Sequence, residues 1–389
     1  MILTNCRLVS VLSDGIQSDC GTVTIENGKI KSVTATVSDA PDAIDCGGKT
    51  LLPGLIDLHT HIVILNGVGM DHLHDRMGMV VAAAKHATQY LDNGFTTIRD
   101  CGSTFRVANY VRQMVQNGSL EAPDIISCGL ALMPTEVEPG LPMAQHLFTA
   151  DGADEFRKAT RTEIASGAEF VKIFASGAAA DPTGTPKECI MTAEEIRSVT
   201  ETAARKGRYV AAHCHSDDAV RLCAENGVRT IEHATLMTEP TLDLVLRSDS
   251  VILIPTLAVM YISDGPRKAY WQARLGPMFD NCTHIIAKAY QAGACLGFGT
   301  DCAAGSFEYE NGIEFKFRRE NCGMADLDIL LQATKINAQI AGLDSQVGEI
   351  KPGLRANLIL VDGKPDEDIS AMYQRPCKVW KDGKLVRSL

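Results

Sequence analysis

Residues 168–177, AEFVKIFASG, have the composition of a buried β-strand with a lysine inside it. Four of the five positions from 170 to 174 carry aromatic or β-branched side chains, which favour strands, and Gly177 ends the run. The fifth of these positions is Lys172. An unpaired ammonium group buried in a strand costs several kcal/mol. Either the strand ends here and the lysine side chain reaches solvent, or the lysine has a chemical role.

Helical patterns flank this strand on both sides. Residues 153–167 and 192–207 have the spacing of apolar residues that is typical of helices, and Thr192 and Glu195 are spaced as a capping box. A second apolar strand, YVAAHCHS, follows at residues 209–216. This order predicts parallel strands that are joined by helices.

The same alternation extends over most of the chain. Eight candidate strands lie at residues 51–62, 95–102, 124–132, 169–177, 209–216, 230–235, 251–257 and 295–302. Eight strands over roughly 290 residues predict an α/β fold of the (β/α)8 TIM barrel type, for which about 250 residues are typical. A doubly wound open sheet is the alternative fold, but no Gly-rich phosphate turn follows the first strand.

Both ends of the chain are rich in short strand patterns. Residues 1–50 include an Asn-Gly turn, and Asp-Gly marks a hairpin near the other end. These patterns predict a small β-sandwich domain formed by both termini, residues 1–55 and 346–389, beside a barrel of residues 56–345.

The composition excludes several classes of partner. The net charge is -11, from 48 acidic and 37 basic residues, and the basic residues form no cluster, which argues against nucleic acid and anionic membranes. Neither a signal-peptide pattern nor a run of membrane-spanning length is present. Thirteen cysteines without a CxxC pair fit a reducing compartment. We therefore predict a cytoplasmic protein that acts on a small-molecule substrate and binds neither nucleic acid nor membrane.

Seven side chains that bind metals or carry charge fall near the ends of the candidate strands. They are His59 and His61 on the first strand, Lys172 on the fourth, His213 and His215 on the fifth, His233 on the sixth and Asp301 on the eighth. The carboxyl ends of barrel strands meet at one face, and residues i and i+2 of a strand point to the same side. These side chains are therefore expected to converge on a metal ion.

Each of these residues also has an ordinary interpretation. His72 and His74 repeat the His-x-His spacing in a polar stretch with no strand before it, where we expect a loop or the start of a helix. A single His233 is equally a core histidine, and Asp301 alone is equally a helix N-cap. The coincidence of several ligand types on successive strand ends favours a metal site.

Five segments, PGLIDLHTHI, VKIFASG, AAHCHS, IEHAT and GFGTDC, resemble in this order the signature strands of the amidohydrolase superfamily. The tail ATKINAQIAGLDSQVGEIKPGLRANLILVDG resembles its crossover into the small sheet domain, so the likeness covers essentially the whole chain. Within the superfamily, the chain most resembles the binuclear-metal branch of prolidase-like dipeptidases, Xaa-Arg carboxypeptidases and ochratoxinase-type amidases, with imidazolonepropionase as a relative.

The resemblance implies a centre of two divalent metal ions, which we expect to be zinc. The more buried ion would be bound by His59, His61 and Asp301, and the more exposed ion by His213 and His233. The spacing alone leaves the choice between His213 and His215 open, whereas the likeness of AHCHS to the family's strand-five motif favours His213.

The resemblance also gives Lys172 and His215 roles. Lys172 would be carboxylated by CO₂ and would bridge both ions, because a buried neutral amine captures CO₂ and the resulting carbamate is an anion. His215 would then contact the substrate or a metal ligand. In this interpretation the lysine is buried because burial favours the neutral amine, which is the form that reacts with CO₂.

By the same resemblance, a hydroxide bridging the two ions would attack an amide bond, and Asp301 would carry the proton from the attacking water to the leaving amine. The net charge of about +1 at such a centre favours a substrate with a carboxylate. We therefore predict a hydrolase acting on carbon-nitrogen bonds, dipeptidase- or carboxypeptidase-like, which cleaves a dipeptide or an N-acyl amino acid. A homo-oligomer is expected by resemblance.

The strand-three region, CGLALMPTEVEPGLPMAQH, lacks the Gly-Gly-His stretch of many prolidase-like relatives, which weakens any specific substrate assignment. One alternative is a cyclic amidase similar to imidazolonepropionase. Another is a deaminase, against which Lys172 counts because deaminases of the superfamily usually need one metal and no such lysine. A catalytically silent scaffold is the third, although every expected ligand type is present.

Overall fold

The structure is a computed structural model that describes residues 1–63, 76–136, 147–179, 186–260, 268–303 and 312–388. His72 and His74, for which a loop or the start of a helix was predicted, lie outside these residues. Within the described part, strands and helices alternate through the middle of the chain, and both ends consist largely of strands. The fold is therefore a mixed α/β fold.

The strands are numbered in chain order. The first five are β1 (Ile2–Leu8), β2 (Ser18–Glu26), β3 (Lys29–Thr34), β4 (Ile44–Asp45) and β5 (Thr50–Pro53). The middle of the chain contains β6 (Leu55–His61), β7 (Phe95–Asp100), β8 (Asp124–Ser127), β9 (Ala131–Met133), β10 (Leu147–Thr149), β11 (Val171–Phe174), β12 (Val210–Cys214), β13 (Thr230–His233), β14 (Ile252–Ile254) and β15 (Cys302–Ala303). The last are β16 (Leu358–Val361), β17 (Lys378–Lys381) and β18 (Lys384–Ser388).

The helices mostly fall where the helical patterns predicted them. They are α1 (Arg76–Asp92), α2 (Val107–Gln116), α3 (Gly152–Ala165), α4 (Ala193–Ala204), α5 (Asp217–Glu225), α6 (Glu239–Leu246), α7 (Lys268–Gln291), α8 (Ile313–Glu320), α9 (Asp326–Leu331) and α10 (Asn337–Ala341). The predicted capping box at the start of α4 is confirmed, because Thr192 and Glu195 each bond the other's backbone N–H. In the described part of the chain, no helix combines the length and the apolar character that crossing a membrane requires.

Both ends of the chain contribute to one eight-stranded sheet. Its strand order is β18-β17-β16-β5-β1-β2-β3, with β4 beside β1. One face carries an apolar cluster that includes Leu3, Val23, Leu358 and Trp380, all of them fully buried. Because residues from the first and the last strands pack together in this cluster, the two ends of the chain stabilise each other.

Two parallel sheets occupy the middle of the chain. One has the order β10-β9-β11-β12-β13-β14 and the other β15-β6-β7-β8. The segment 295–301 lies between them: Gly297 N donates to Leu253 O at 2.9 Å, and Leu58 N donates to Phe298 O at 3.0 Å. The parallel pairing brings the carboxyl ends of β6, β11, β12 and β13 to one edge, which is where the candidate site residues lie.

Two predicted strands are less regular than the sequence indicated. The third is divided into β8 and β9, because Gly129 adopts a left-handed φ of 75°. The eighth, residues 295–302, is reduced to one bridge at Leu296 and the short β15. A Cβ atom on Gly299 would lie 2.9 Å from the Cβ of His59, so the close approach of the two segments requires glycine there. Strand pairing gives two sheets rather than one closed ring, so barrel closure stays a prediction.

Gly54 joins β5 of the terminal sheet to β6 of the parallel sheet, and we predict that Gly54→Ala destabilises the protein. A Cβ atom there would lie 2.2 Å from Thr96 Oγ1 and 2.5 Å from Thr96 Cγ2, well inside van der Waals contact. Overpacking of this kind costs about 1–3 kcal/mol of the free energy of unfolding, which urea denaturation measures.

The double variant Gly54→Ala/Thr96→Ala is the control. Removing the Thr96 atoms relieves most of the clash, so the two substitutions together should destabilise less than the sum of the single ones. Strictly additive effects would show that the contact with Thr96 is not the cause.

Candidate metal centre

The five candidate histidines lie together at the carboxyl ends of the parallel strands. Ring centroids are separated by 5.5 Å for His59–His61, 4.7 Å for His59–His233, 4.4 Å for His213–His215, 4.5 Å for His213–His233 and 4.8 Å for His215–His233. Asp301 lies beside the first pair, with Oδ1 3.6 Å from His59 Nε2 and 3.4 Å from His61 Nε2. The structure therefore brings the predicted histidines and Asp301 into one cluster.

Lys172 lies in the protein interior beside this cluster. Its side chain is fully buried, so the interpretation in which it reaches solvent is wrong. Its Nζ atom is 5.9 Å from the ring centroid of Phe174, and this ring stacks on His213 with centroids 4.4 Å apart. The lysine therefore lies within the same cluster of side chains as the histidines.

The register of the strands brings the candidate metal ligands to one edge of the parallel strands. Two of these residues, His233 and Asp301, also have an unusual backbone conformation. Thr230 and Glu232 of β13 both contact Arg99, so they share one side of the strand, and a regular strand would turn His233 to the other side. Instead His233 has a left-handed φ of 69° and Asp301 one of 54°. Non-glycine residues rarely adopt this conformation, and it occurs preferentially at functional sites.

The ring nitrogen Nδ1 of four of these histidines is held by a protein oxygen. The partners are Glu232 Oε2 for His59 at 2.7 Å, Gly102 O for His61 at 2.7 Å, Thr235 Oγ1 for His215 at 2.8 Å and Thr256 Oγ1 for His233 at 2.7 Å. A carbonyl oxygen only accepts hydrogen bonds, so His61 carries its proton on Nδ1 and has its lone pair on Nε2. Such anchoring orients imidazole rings for metal binding.

Burial sets the protonation states at this centre. It lowers the pKa of His59 to about 4 and that of His215 to about 3, with the charge of Lys172 adding to the effect. The pKa values of His213 and His233 are lowered well below the ordinary value, again mainly by burial. These histidines are therefore neutral near pH 7, which is the form that binds metals. Burial also raises the pKa of Asp301 to about 7, against the opposing effect of Lys172.

At this centre, three buried nitrogen atoms have no hydrogen-bond partner among the described residues: Lys172 Nζ, His213 Nε2 and His233 Nε2. Buried polar atoms are nearly always paired, and an unpaired one costs free energy. Two groups of donor atoms are His59, His61 and Asp301 on one side and His213, His215 and His233 on the other; a third combines His59 with Cys101 and Glu232, and all atoms of a group lie within 4.8 Å of one another. Imidazole nitrogens with one carboxylate suit zinc and similar divalent ions, so this donor set fits such metals.

The sequence analysis missed two charged residues at the centre, Arg99 and Glu232. Both side chains are fully buried, and Arg99 Nη2 donates to Glu232 Oε1 at 2.7 Å. The Arg99 guanidinium also lies 5.1 Å from the ring centroid of Phe170. The available signal was that FTTIRDCG and TIEHAT, like the Lys172 segment, place a charged residue inside a candidate strand.

Comparison with known proteins gives consistent results. A model of the amidohydrolase family matches residues 50–386. Ochratoxinase of Aspergillus niger is 28% identical over 378 residues, which cover 87% of this chain and 75% of that protein. The crystal structure of a prolidase complexed with n-methylphosphonate-l-proline has a TM-score of 0.86 at 28% identity and covers 100% of this chain and 99% of that chain. A Xaa-Pro dipeptidase with bound methionine in the active site has a TM-score of 0.86 at 26% identity, with the same coverage.

We predict that Glu232→Ala strongly destabilises the protein. The substitution leaves the Arg99 guanidinium as a buried charge without its carboxylate partner, and breaking a buried ion pair in this way costs about 3–5 kcal/mol. Urea denaturation in the presence of a chelator measures the free energy of unfolding without a contribution from bound metal.

Glu239→Ala is the matched control, because it breaks the exposed ion pair between Glu239 and Lys288. Water screens this pair, so the variant should unfold at nearly the wild-type urea concentration. If both variants behave alike, the Arg99–Glu232 pair does not have the stabilising role assigned to it.

Proposed function

Because this chain belongs to the amidohydrolase family, we propose that it is a metal-dependent hydrolase that cleaves an amide bond of a small substrate. One observation carries the proposal: Lys172 Nζ, His213 Nε2 and His233 Nε2 are buried and unpaired among the described residues, next to further metal-binding side chains. Bound cations, with a modified lysine, would pair these three atoms, which lie together among metal-binding side chains.

We assign His59, His61 and Asp301 to one divalent ion and His213 and His233 to a second. The grouping of the donor atoms supports this division. His215 belongs to the same group as His213 and His233, and the likeness of AHCHS to the family motif is the reason to prefer His213 as the ligand. Zinc is the expected metal, since it suits imidazole and carboxylate ligands.

Lys172 would bridge the two ions as its carbamate. The position supports this role, because the side chain is fully buried and its charge acts on both His59 of one group and His213 of the other. A carbamate would replace a buried cation by an anion between two dications, which is the sign of charge that such a centre needs.

Two bound ions would lower the pKa of a water molecule between them towards 7 and would polarise the scissile carbonyl. Asp301 is placed to move the proton. Its side chain is 18% exposed, which leaves it open to substrate, and a carboxylate can both accept and release a proton. It would accept a proton from the attacking water and donate it to the leaving amine.

The substrate we propose is a dipeptide or an N-acyl amino acid. The prolidase with its phosphonate-proline ligand and the Xaa-Pro dipeptidase with bound methionine support an amide bond beside an amino-acid group. The cyclic-amidase and deaminase alternatives make different predictions for metal content and for the products, which the experiment below separates.

We also propose that the two parallel sheets are two parts of one (β/α)8 barrel of residues 56–345, beside a terminal-sheet domain of residues 1–55 and 346–389. Hydrogen bonds support closure on both sides: Asp301 N donates to His59 O at 2.7 Å, and Glu169 N donates to Ser127 O at 2.8 Å. The similarity of the whole chain to solved family members also supports it.

The first test is metal content combined with activity. The wild-type protein, purified with bicarbonate and zinc, should contain about two ions per chain and hydrolyse members of a library of dipeptides and N-acyl amino acids. Lys172→Ala should lose most of the metal and the activity, because it removes the group proposed to bridge the ions. Elemental analysis and amine release are the measurements.

Lys158→Ala is the control, since Lys158 is exposed on α3. It should keep wild-type metal content and activity. One ion per chain in both the wild type and Lys172→Ala would refute the binuclear centre and would favour a mononuclear deaminase, whereas cleavage of cyclic amides alone would favour the cyclic amidase.

Removal of metal is predicted to lower the stability of the folded protein. An ion that binds only the folded state raises the free energy of unfolding by about 2.7 kcal/mol at a free concentration of 100 times its Kd. Dialysis against a chelator should therefore lower the melting temperature, and added zinc should restore it. Lys172→Ala should respond less; equal melting temperatures with and without zinc would count against the proposed centre.

A further inference from the structure

His59 differs from the other anchored histidines in the chemistry of its anchor. His61, His215 and His233 are held at Nδ1 by neutral oxygens, a carbonyl and two hydroxyls. His59 Nδ1 instead faces the carboxylate oxygen Glu232 Oε2 at 2.7 Å. Both side chains are almost completely buried, so this charged contact is not weakened by solvent.

The two oxygens of Glu232 have different partners. Oε1 accepts hydrogen bonds from Arg99 Nη2 at 2.7 Å and from Thr230 Oγ1 at 2.6 Å. Oε2 is left for His59. Arg99 is fixed in turn, because it also donates to Thr230 Oγ1 and to the carbonyl of Leu58. A guanidinium only donates hydrogen bonds, so whatever atom faces it must be an acceptor.

We propose that Glu232 is a positioning residue that keeps the ring proton of His59 on Nδ1 and leaves the Nε2 lone pair for the metal, with Arg99 determining which oxygen of Glu232 faces the histidine. The proposal rests on the proposed function, because it concerns His59 as a metal ligand. A carboxylate accepts but does not donate, so the hydrogen bond requires the proton on Nδ1. His59 Nε2 then points towards Asp301 Oδ1, 3.6 Å away, with its lone pair free.

This arrangement makes Glu232→Gln a sharp test, because the amide has nearly the shape of the carboxylate. Arg99 needs an acceptor, so the amide oxygen must take the Oε1 position and the NH₂ group must face His59 Nδ1. The NH₂ group donates, which reverses the tautomer and places a proton on His59 Nε2. A protonated Nε2 cannot bind a metal ion, although the ring stays in place.

Zinc affinity is the measurement, determined by competition with a chromophoric chelator. Loss of an anchoring partner of this kind typically weakens metal binding 10–100-fold, and we expect Glu232→Gln to fall in this range. Glu163→Gln is the matched control: Glu163 is also a fully buried glutamate paired with an arginine, Arg106, but it contacts none of the five histidines in the described part of the chain. Its zinc affinity should change by less than about 3-fold.

The double variant Arg99→Met/Glu232→Gln separates tautomer control from a general structural effect. Without the guanidinium, the amide is free to turn so that its oxygen accepts from His59 Nδ1, since Thr230 Oγ1 can both donate and accept. Zinc affinity should therefore recover towards the wild-type value. A role limited to packing or stability predicts the opposite result, because the double variant removes more native contacts than Glu232→Gln.

The outcomes are distinct. Wild-type zinc affinity in Glu232→Gln would overturn the inference, as would equally weak binding in the single and double variants. A wild-type chain that binds no zinc would instead refute the proposed function.

A measurement on the wild type covers the case in which Glu232→Gln does not fold. In metal-free protein with ¹⁵N-labelled histidine, the ring signals that disappear in His59→Asn should show a protonated Nδ1. A protonated Nε2 there would refute the proposal.

Discussion

The constraint on which the centre depends is that charged groups inside a parallel sheet must find partners. Lys172, Arg99 and Glu232 lie fully buried on strands of the parallel sheets. Arg99 and Glu232 pair with each other, and Glu232 reaches His59. Lys172 is left unpaired among the described residues, beside the Phe174 ring that stacks on His213. An unpaired ammonium group is costly in this interior, because the described part of the chain provides no partner for it. Carboxylation of the lysine and two metal ions would replace it by an anion paired with cations.

Two further carboxylates hold the strand ends on which the candidate ligands lie. Asp57 accepts hydrogen bonds from the backbone N–H groups of His59 and Thr300, so it ties the end of β6 to the segment before Asp301. Asp100 accepts from the backbone of Ile62 and Gly102. Burial raises the pKa of Asp57 to about 7 and that of Asp100 to about 6. These buried carboxylates therefore add rigidity where metal binding needs fixed positions.

The centre is graded in exposure from the interior to the edge of the sheet. Arg99, Glu232 and His59 form its dry inner part, and Asp301, the most exposed of the proposed ligands, lies nearest to solvent. This gradient matches a division of roles: the buried groups fix orientation and charge, and the group that would move a proton is accessible to substrate. The backbone of Asp301 adopts a left-handed conformation, and the hydrogen bond from Asp301 N to His59 O holds it there.

The sequence by itself determined the alternation of strands and helices, the strands at both ends, and the identity of the candidate ligands. The reason is that apolar periodicity, glycine turns and a charged residue in an apolar strand are local signals, and Lys172 was the clearest of them. The tertiary structure decided what depends on long-range geometry. The segment 295–301 connects the two sheets, and its close approach to His59 requires glycine at position 299. His233 reaches the centre through a left-handed turn, and Glu232 acquires its role through Arg99, 133 residues away in the chain. No local pattern encodes those contacts, because they depend on which strands become neighbours.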